Sequence, residues 1–298
     1  MKVIIPVAGL GTRMLPATKA IPKEMLTIAD KPLIHYIVKE CVDAGFKEIV
    51  LVTHSSKNSI ENYFDTTFEL ETMLERRQKK VLLEEVRNII PEDVRLIHIR
   101  QGQAKGLGHA VLCARSIIGD DDFAVVLPDV LLPDFSSNHK TENLSAMVQR
   151  FNKTGYSQIM VSPVPREKVK DYGIADCLGV DIQEGESTKI VKMVEKPEIE
   201  DAPSNLAVVG RYVFSKNLWP LLEQTKEGTG GEIQLTDAID SLIANREQNI
   251  EAFRIKGDTF DCGDKIGYAQ AFIKYSLHNP KMKDSLKQYL KEIVKELN

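Results

Sequence analysis

The sequence has few aromatic residues and no long apolar run. Phenylalanine, tyrosine and tryptophan make up 6% of its 298 residues, and there is a single tryptophan. No apolar stretch approaches the ~20 residues that a membrane-spanning helix requires, so we expect no membrane partner. The segment from Met1 to Pro6 also lacks the apolar core and small-residue cleavage site of a signal peptide. These absences favour a globular protein of the cytoplasm.

Cysteine is scarce, and its spacing is unlike that of a disulfide framework or a zinc site. No two of the four cysteines form a C-x-x-C pair; they are Cys41, Cys113, Cys177 and Cys262. Isolated cysteines are commonly buried free thiols. We therefore interpret these residues as structural thiols in a reducing compartment.

The chain lacks the excess of positive charge that is typical of proteins that bind nucleic acid. It contains 39 Lys and Arg against 43 Asp and Glu, so its formal net charge is −4. Such a protein has no general attraction for polyanions, and we expect no nucleic-acid partner. The mixed charges over 75–80 are typical of a solvated helix face. Any phosphate ligand must be held by cations close to it.

The first half of the chain alternates strand and helix patterns. Apolar runs predict a strand over 2–7 and buried strands over 48–53 and 123–127, and a further strand is predicted over 94–100. Helical patterns lie between them, over 32–44, 56–90 and 106–118. This βαβ order predicts an α/β fold with a Rossmann-like, mostly parallel sheet flanked by helices.

The pattern changes after about residue 155, where strands recur without long helices between them. These strands are predicted over 158–164, 175–180, 189–194 and 207–214. They favour a mixed sheet with an added, partly antiparallel layer. Helices are then predicted over 215–224, 233–245, 264–278 and 281–297. Because no linker or repeat interrupts the chain, we expect a single domain over 1–298.

A glycine loop follows the first predicted strand. Gly9 and Gly11 would let the backbone approach a ligand closely. A Rossmann fingerprint needs a third glycine where Met14 stands, and the Gly-Lys-Ser/Thr of a P-loop is also absent. The two glycines alone are equally consistent with an ordinary turn.

Three cations within eleven residues favour a phosphate site over a plain turn. Arg13, Lys19 and Lys23 follow the glycines, and Pro16 and Pro22 stiffen the chain between them. Arginine contacts phosphate through two donors at once, while lysine acts as a point charge. The cluster therefore suits a nucleoside triphosphate better than it suits a solvated basic loop.

The loop and the residues after it resemble a known family. Gly9-Leu10-Gly11-Thr12-Arg13, followed by Ile21-Pro22-Lys23-Glu24-Met25-Leu26, resembles the signature of the sugar nucleotidyltransferases. With Asp30-Lys31-Pro32-Leu33-Ile34 it is similar to the bacterial UTP–glucose-1-phosphate uridylyltransferases, and the similarity extends to about residue 278. The resemblance implies a Rossmann-like mixed sheet, a Mg²⁺ requirement, and conversion of UTP and glucose 1-phosphate to UDP-glucose and pyrophosphate.

The resemblance also implies which residues bind the nucleotide. It assigns catalytic roles to Arg13 and Lys23, and nucleotide contacts to Ala8, Gly9, Gly11, Gln101 and Gly106. By residue type alone, either Gln101 or Gln103 could read a base edge, because an amide both donates and accepts. The resemblance selects Gln101. We interpret His109 as a packing or capping residue.

Two aspartates are candidate metal ligands. Asp129 follows the buried strand at 123–127, where ligands gather in open α/β sheets. A carboxylate there suits Mg²⁺, although Asp is also common in turns and helix caps. Asp261 matches the late Asp-x-Gly element of the family, and only the resemblance pairs it with Asp129. We interpret Asp264 as structural.

The sugar phosphate would bind at the end of another predicted strand. Pro197 cannot continue a β-ladder, so Glu195 and Lys196 are presented where the strand ends. An ordinary surface ion pair is the alternative. The resemblance implies that Glu195 contacts sugar hydroxyls and Lys196 the sugar phosphate, with backbone contacts from Gly173 and Val208. The segment 230–237 is interpreted as a turn and helix cap.

The resemblance divides the single domain into parts. It implies a nucleotide part at about 1–135, a sugar-phosphate part at about 155–265, and C-terminal helices at about 266–298 that could form a homodimer or homotetramer. Use of dTTP or another sugar phosphate is an alternative within the family. An inactive regulatory relative is disfavoured because Arg13, Asp129, Lys196 and Asp261 are all present. Met14 disfavours an NAD-dependent dehydrogenase.

Overall fold

The computed structural model describes residues 1–228, 231–245 and 249–297. Its strands, β1 to β14 in chain order, are Lys2–Pro6, Thr27–Ile28, Lys31–Pro32, Glu48–Thr53, Arg95–Arg100, Phe123–Val126, Val130–Leu131, Ser157–Pro163, Gly173–Asp176, Ser187–Lys189, Lys192–Glu195, Leu206–Phe214, Ile250–Arg254 and Phe260–Asp261. Its helices, α1 to α11, are Leu33–Asp43, Asn58–Phe64, Phe68–Arg76, Lys80–Arg87, Gly106–Cys113, Arg115–Ile118, Leu144–Thr154, Leu218–Gln224, Leu235–Ala244, Lys265–His278 and Lys283–Leu297. Gly230, in the segment interpreted as a turn, lies outside the described residues.

A mixed sheet forms the centre of the fold. Its strand order is β10-β13-β8-β12-β6-β1-β4-β5, and β9 pairs with both β12 and β11. Strands β6, β1, β4 and β5 run parallel to one another, as the βαβ order predicts. Strand β12 is antiparallel to β6, β8 and β9. The predicted α/β class, with a partly antiparallel addition to the sheet, is confirmed.

Helices cover both faces of the sheet. Because side chains alternate along a strand, Val3 and Ile5 of β1 enter one core and Ile4 enters the other. The first core contains apolar residues of α1, α7 and α10. The second contains apolar residues of α5, α8 and α9. The continuous apolar runs of the early strands reflect this burial on both faces.

The prediction that 56–90 is mostly helical is confirmed, and two breaks divide the range. Helices α2, α3 and α4 occupy that range. The first break contains Thr66 and Thr67, which are poor helix formers because they are β-branched. The second contains Gln78, whose φ of 54° is incompatible with a right-handed helix.

The strand predicted over 175–180 is displaced, and the one over 189–194 is divided. Strand β9 ends at Asp176, because Leu178 and Gly179 take φ values of 55° and 72° and turn the chain. Strand β10 pairs with β13, whereas β11 pairs with β9. The chain therefore crosses from one neighbour to another near Ile190.

Helix α7 and strand β13 were not predicted. Leu144, Met147 and Phe151 of α7 are buried in the first core at helical spacing, a periodicity that the sequence does carry. Strand β13 runs parallel to β8 inside the sheet. No helix in the described parts of the chain is long and apolar enough to cross a membrane.

Candidate active site

The glycine loop and the Lys23 segment fold against each other. Gly11 has a φ of 66°, and a Cβ there would lie 3.4 Å from the Cβ atoms of Thr18 and Lys23. The Thr18 hydroxyl donates to Gly11 O at 2.8 Å. These contacts hold Lys23, one of the three cationic residues predicted to bind phosphate, beside the glycine loop. One cavity is lined by Ala8, Gly9, Lys23, Gln101, Gly106 and Asp129, while Gly11 supports the loop from outside this lining.

Gln101 is buried and has a fixed orientation in this cavity. It is 5% exposed, whereas Gln103 is exposed and does not line the cavity. Its Nε2 donates to Gly106 O at 3.1 Å and lies 2.9 Å from His109 Nδ1. Burial, followed by repulsion from Lys105, lowers the pKa of His109, so its neutral ring can accept that bond. The amide nitrogen is committed to two acceptors, and the amide can offer a base only its oxygen.

A second cavity adjoins the first and contains the residues predicted for the sugar. Gly173, Glu195, Lys196 and Val208 line it, together with Arg13 and Asp261. A Cβ at Gly173 would lie 3.1 Å from Glu195 Oε2 and 3.6 Å from Val208 Cγ2. Leu127 and Asp129 line both cavities. The residues predicted for the nucleotide and those predicted for the sugar phosphate therefore meet at the turn that follows β6.

A backbone turn brings Glu195 and Lys196 to the same cavity. Lys196 has a φ of 46°, in the left-handed region that non-glycine residues rarely adopt. Its N–H donates to Tyr172 O at 3.0 Å. Glu195 Oε2 accepts from the Thr236 hydroxyl at 2.8 Å, and Lys196 Nζ lies 3.8 Å from Glu195 Oε1. The turn overrides the alternation that would have separated the two side chains along a strand.

Two very short strands bring Asp129 and Asp261 together. Strand β14 is antiparallel to β7, with Asp261 opposite Val130, and Cys262 N donates to Asp129 O at 2.7 Å. A Cβ at Gly263 would lie 2.8 Å from Asp261 Oδ1 and 3.4 Å from Asp129 Oδ2. The two carboxylate oxygens can be no farther apart than the sum of these distances, roughly 6 Å by geometry alone. The glycine keeps the space between them open.

The two carboxylates have different electrostatic surroundings. Lys23 Nζ lies 2.8 Å from Asp129 Oδ2. Burial acts to raise the pKa of Asp129, but attraction and a hydrogen bond from Lys23 outweigh it, so the pKa is lowered. The pKa of Asp261 is raised by burial and by repulsion from Asp129, although Gly263 N and the Tyr172 hydroxyl donate to it.

This pair of carboxylates fits a hard divalent cation. Lys23 already places one positive charge at Asp129, and the raised pKa of Asp261 means that its anion is under-compensated. Within the described residues, no group of three or more His, Cys, Asp or Glu side chains is arranged to hold a metal. A protein that supplies only two carboxylates suits Mg²⁺, which usually completes its shell with water and substrate phosphates.

Comparison with known proteins identifies the family of this chain. Residues 2–277 match the family model described as nucleotidyl transferase. The chain belongs to the nucleotidyl transferase family. It is 66% identical to a Haemophilus influenzae protein named UTP–glucose-1-phosphate uridylyltransferase, over the whole of both chains. A protein of the same name from Escherichia coli K12 is 58% identical over 98% of this chain and 95% of its own.

Solved structures resemble this nucleotidyl transferase closely. A UDP-glucose pyrophosphorylase from Acinetobacter baumannii is 52% identical, with a TM-score of 0.90 over 98% of this chain and 99% of its own. A UTP-bound UGPase from Acinetobacter baumannii has the same identity and TM-score and covers 98% of each chain. The predicted family and enzyme class are thereby confirmed.

Sequence reasoning missed a buried ion pair beside the first cavity of the transferase. Glu24 lines the cavity but is 0% exposed, and Lys57, 4% exposed, donates to its Oε2 at 2.7 Å. The other carboxylate oxygen of Glu24, Oε1, is buried and has no hydrogen-bond partner among the described residues. Burial outweighs the attraction of Lys57 and raises the pKa of Glu24, while burial lowers the pKa of Lys57. The signal available in the sequence was the position of Glu24, which directly follows Lys23 in the family signature.

The segment from 231 to 237 contributes more than the predicted turn and cap. Gly108 N donates to Ile233 O at 2.9 Å, and a Cβ on Gly108 would lie 2.8 Å from that oxygen. Gln234 and Thr236, at the start of α9, line the second cavity. Gly108 is therefore required for close packing of this segment, which in turn reaches the second cavity.

Asp264 is structural, as predicted from the sequence. It caps α10, because its Oδ1 accepts from Ile266 N at 2.8 Å and from Gly267 N at 2.9 Å. Its carboxylate is thus occupied by the helix terminus. This makes Asp264 a useful comparison for Asp261, three residues earlier.

Asp261→Asn should stabilise the metal-free protein. A raised folded-state pKa means that the Asp261 anion costs stability above that pKa, and the cost disappears as the pH falls below it. We expect the variant to melt at a higher temperature than the wild type at pH 7 in a thermal-shift series, with the gain shrinking as the pH falls toward the usual pKa of an Asp carboxyl, about 4. Asp264→Ala should instead lower the melting temperature, by roughly 3 °C for a lost cap of ~1 kcal/mol. A destabilised Asp261→Asn would contradict the prediction.

Proposed function

We propose that this chain transfers UMP from UTP to glucose 1-phosphate and releases pyrophosphate, giving UDP-glucose. The observation that carries the proposal is the pair of adjoining cavities that share Asp129, one with the glycine loop and Gln101, the other with Glu195 and Lys196. The relatives carry this activity in their names, and one similar solved structure is UTP-bound. A test is an assay of pyrophosphate release over a panel of nucleotides and sugar phosphates, in which UTP with glucose 1-phosphate should be the best pair.

The chemistry is in-line attack of the sugar-phosphate oxygen on the α-phosphorus of UTP. Two anions must approach each other, and unit charges ~4 Å apart repel by about 4 kcal/mol at an effective dielectric of 20. Arg13, Lys23 and Lys196 line the cavities and would offset this repulsion. The nucleophile is already ionised, so no general base is required. Positioning and charge should dominate the rate.

We assign the metal site to Asp129 and Asp261, which would hold Mg²⁺ between them. When bound, the ion would add positive charge at the reacting phosphates and stabilise the pyrophosphate leaving group. Lys23 now neutralises Asp129 at 2.8 Å. With the ion in place we expect this ammonium to be free to contact a phosphate instead.

Base selection follows from the fixed orientation of Gln101. Its amide nitrogen donates to Gly106 O and His109 Nδ1, so only its oxygen is available to a base. The uracil N3–H can donate to that oxygen, whereas N3 of cytosine carries no hydrogen and would face it as an acceptor. Thymine differs from uracil by one methyl group, which discriminates only about 10- to 200-fold. Some turnover of dTTP is therefore expected.

Gln101→Ala should raise the KM for UTP and reduce the preference for UTP over CTP. The loss of one neutral hydrogen bond predicts an increase of about 2- to 10-fold. Gln103→Ala is the matched control, because Gln103 is exposed and lies outside the cavity lining. Steady-state kinetics with both nucleotides test this. An effect confined to Gln103→Ala would reassign the base contact.

Lys196→Ala should impair use of glucose 1-phosphate. The loss of a charged hydrogen bond predicts a fall in kcat/KM for the sugar phosphate of about 10- to 150-fold. UTP binding by calorimetry should be nearly unchanged. Lys192→Ala provides the control, because Lys192 is exposed and begins the strand that ends just before Lys196. A Lys196→Ala protein that lost UTP affinity but bound the sugar phosphate normally would contradict the assignment.

The remaining proposals concern the domain organisation, the cellular location and the oligomeric state. We propose that residues 1–298 form one domain, since one sheet contains strands of both the nucleotide part and the sugar-phosphate part. The four cysteines are free, which supports a reducing cytoplasmic location. We further propose a homodimer or homotetramer, to be tested by light scattering coupled to size-exclusion chromatography.

A further inference from the structure

Arg211 is a buried charged residue beside the turn that carries Asp129. It lies on β12 and is 0% exposed, and its partner Glu40, on α1, is 2% exposed. Arg211 Nε and Nη2 donate to Glu40 Oε1 and Oε2 at 3.0 and 2.6 Å. One edge of the guanidinium is thus used for a two-point ion pair in the core.

The remaining donors of Arg211 hold the Asp129 turn at both ends. Nη1 donates to Leu127 O at 3.1 Å, and Nη2 donates to Val130 O at 2.7 Å. These two carbonyls flank the Pro128–Asp129 dipeptide. Because a guanidinium is rigid and planar, a single group sets the separation of the turn's two ends. An ammonium, with donors on one atom, could not span them in this way.

The backbone of β12 is irregular where it brings Arg211 to the turn. The register against β8 shifts between Val208 and Tyr212, and Gly210 has a φ of 80°. Leu127 N donates to Gly210 O at 2.8 Å, and a Cβ on Gly210 would lie 2.8 Å from Leu127 Cβ. Irregularities of this kind redirect the side chains of a strand. Here the irregularity allows β12 to contact the turn closely.

We propose that Arg211, with Glu40 as its counter-ion, is a positioning residue that holds Asp129 in place beside Asp261 for the metal. This rests on the proposed function. A buried ion pair can often be replaced by apolar residues of similar size without loss of stability. An apolar pair cannot reproduce the two hydrogen bonds to the turn. The effect should reach Asp261 as well, since Cys262 N is bonded to Asp129 O at 2.7 Å.

The test is the double variant Arg211→Met/Glu40→Met. It removes both charges. Arg211→Met alone would leave the Glu40 carboxylate buried without a counter-ion, which is strongly destabilising. Binding of Mn²⁺ to the substrate-free protein is measured by water proton relaxation, alongside melting temperature and steady-state kinetics. We expect a melting temperature close to that of the wild type. Mn²⁺ affinity and kcat should each fall about 10- to 100-fold, while the KM values for both substrates change less than threefold.

A second double variant controls for the loss of an ion pair as such. Arg150 and Glu251 form a two-point pair at 2.5 and 2.7 Å, away from both cavities. Arg150→Met/Glu251→Met should leave Mn²⁺ affinity and kcat within twofold of the wild type. Equal losses in both double variants would overturn the positioning role, as would a kcat defect that disappears once rates are corrected for the folded fraction.

Asp129→Asn separates failure of this inference from failure of the proposed metal site. If Asp129→Asn binds Mn²⁺ as tightly as the wild type, the metal site itself is wrong and the inference falls with it. If Asp129→Asn loses Mn²⁺ but Arg211→Met/Glu40→Met retains wild-type affinity and kcat, only the positioning role is wrong. Losses in both variants support it.

Discussion

Asp129→Asn is expected to lower the rate of pyrophosphate release at least about 100-fold, the scale of losing a key electrostatic group. The substitution keeps the size of the side chain but removes the charge that Lys23 contacts at 2.8 Å and that faces Asp261 across Gly263. Excess EDTA should abolish turnover of the unmodified protein, and added Mg²⁺ should restore it. The measurement is a coupled pyrophosphate assay at saturating UTP and glucose 1-phosphate.

Asp264→Asn provides the control for Asp129→Asn. It makes the same change of charge near the site, and asparagine replaces aspartate well as a helix cap, so α10 should remain intact and activity should stay within about twofold of the wild type. Full activity in chelator would contradict the two-aspartate site. Equal losses in Asp129→Asn and Asp264→Asn would indicate a general electrostatic effect instead.

Lys57→Met should give the largest loss of stability. The Lys57 and Glu24 side chains are 5% and 1% exposed, and their atoms meet at 2.7 Å. Removing one partner of such a pair leaves an uncompensated buried charge, which typically costs about 3–5 kcal/mol. For a chain of this size that corresponds to a fall in melting temperature of roughly 10 °C. Thermal unfolding followed by circular dichroism measures it.

The loss in Lys57→Met should depend on pH in a defined direction. Burial already raises the pKa of Glu24 with Lys57 present, and removal of the cation must raise it further. The folded variant then binds a proton that the unfolded chain releases at neutral pH, so its stability increases as the pH falls from 7 toward about 5. Lys57→Met/Glu24→Gln should recover most of the loss at pH 7. A loss that did not vary with pH would point to a packing defect.

The sequence predicts those parts of the site that lie within continuous segments. The glycine loop and Lys23 are separated by few residues, and the structure brings them together through Thr18 and Gly11. The strand before Asp129 was recognisable because burial on both sheet faces requires a continuous apolar run. Local sequence therefore carries both the position and the chemistry of these residues.

The remaining features depend on contacts between distant segments. Asp129 and Asp261 are paired by two-residue strands, which are too short to show a periodicity, and only the family resemblance joined them. Glu24 and Lys57 are charged and would be placed on the surface by residue type, yet both are buried. Thr236 lies in the segment interpreted as a turn and helix cap. The local sequence does not show its contact with Glu195, because the two residues are 41 positions apart in the chain.

The ends of the central sheet limit how copies of this chain can assemble. Along the main strand order, one end strand, β10, has only three residues and finishes with Lys189, and the other, β5, begins and ends with Arg95 and Arg100. On the branch through β9, the edge strand β11 has only four residues and begins with Lys192. Short edges and edges with charged side chains discourage pairing with a strand of another molecule. Two copies that met at β5 would bring like charges together. Stable complexes of this chain should therefore form through helix or loop surfaces, and the ladder of backbone hydrogen bonds should stop at the boundary of each subunit.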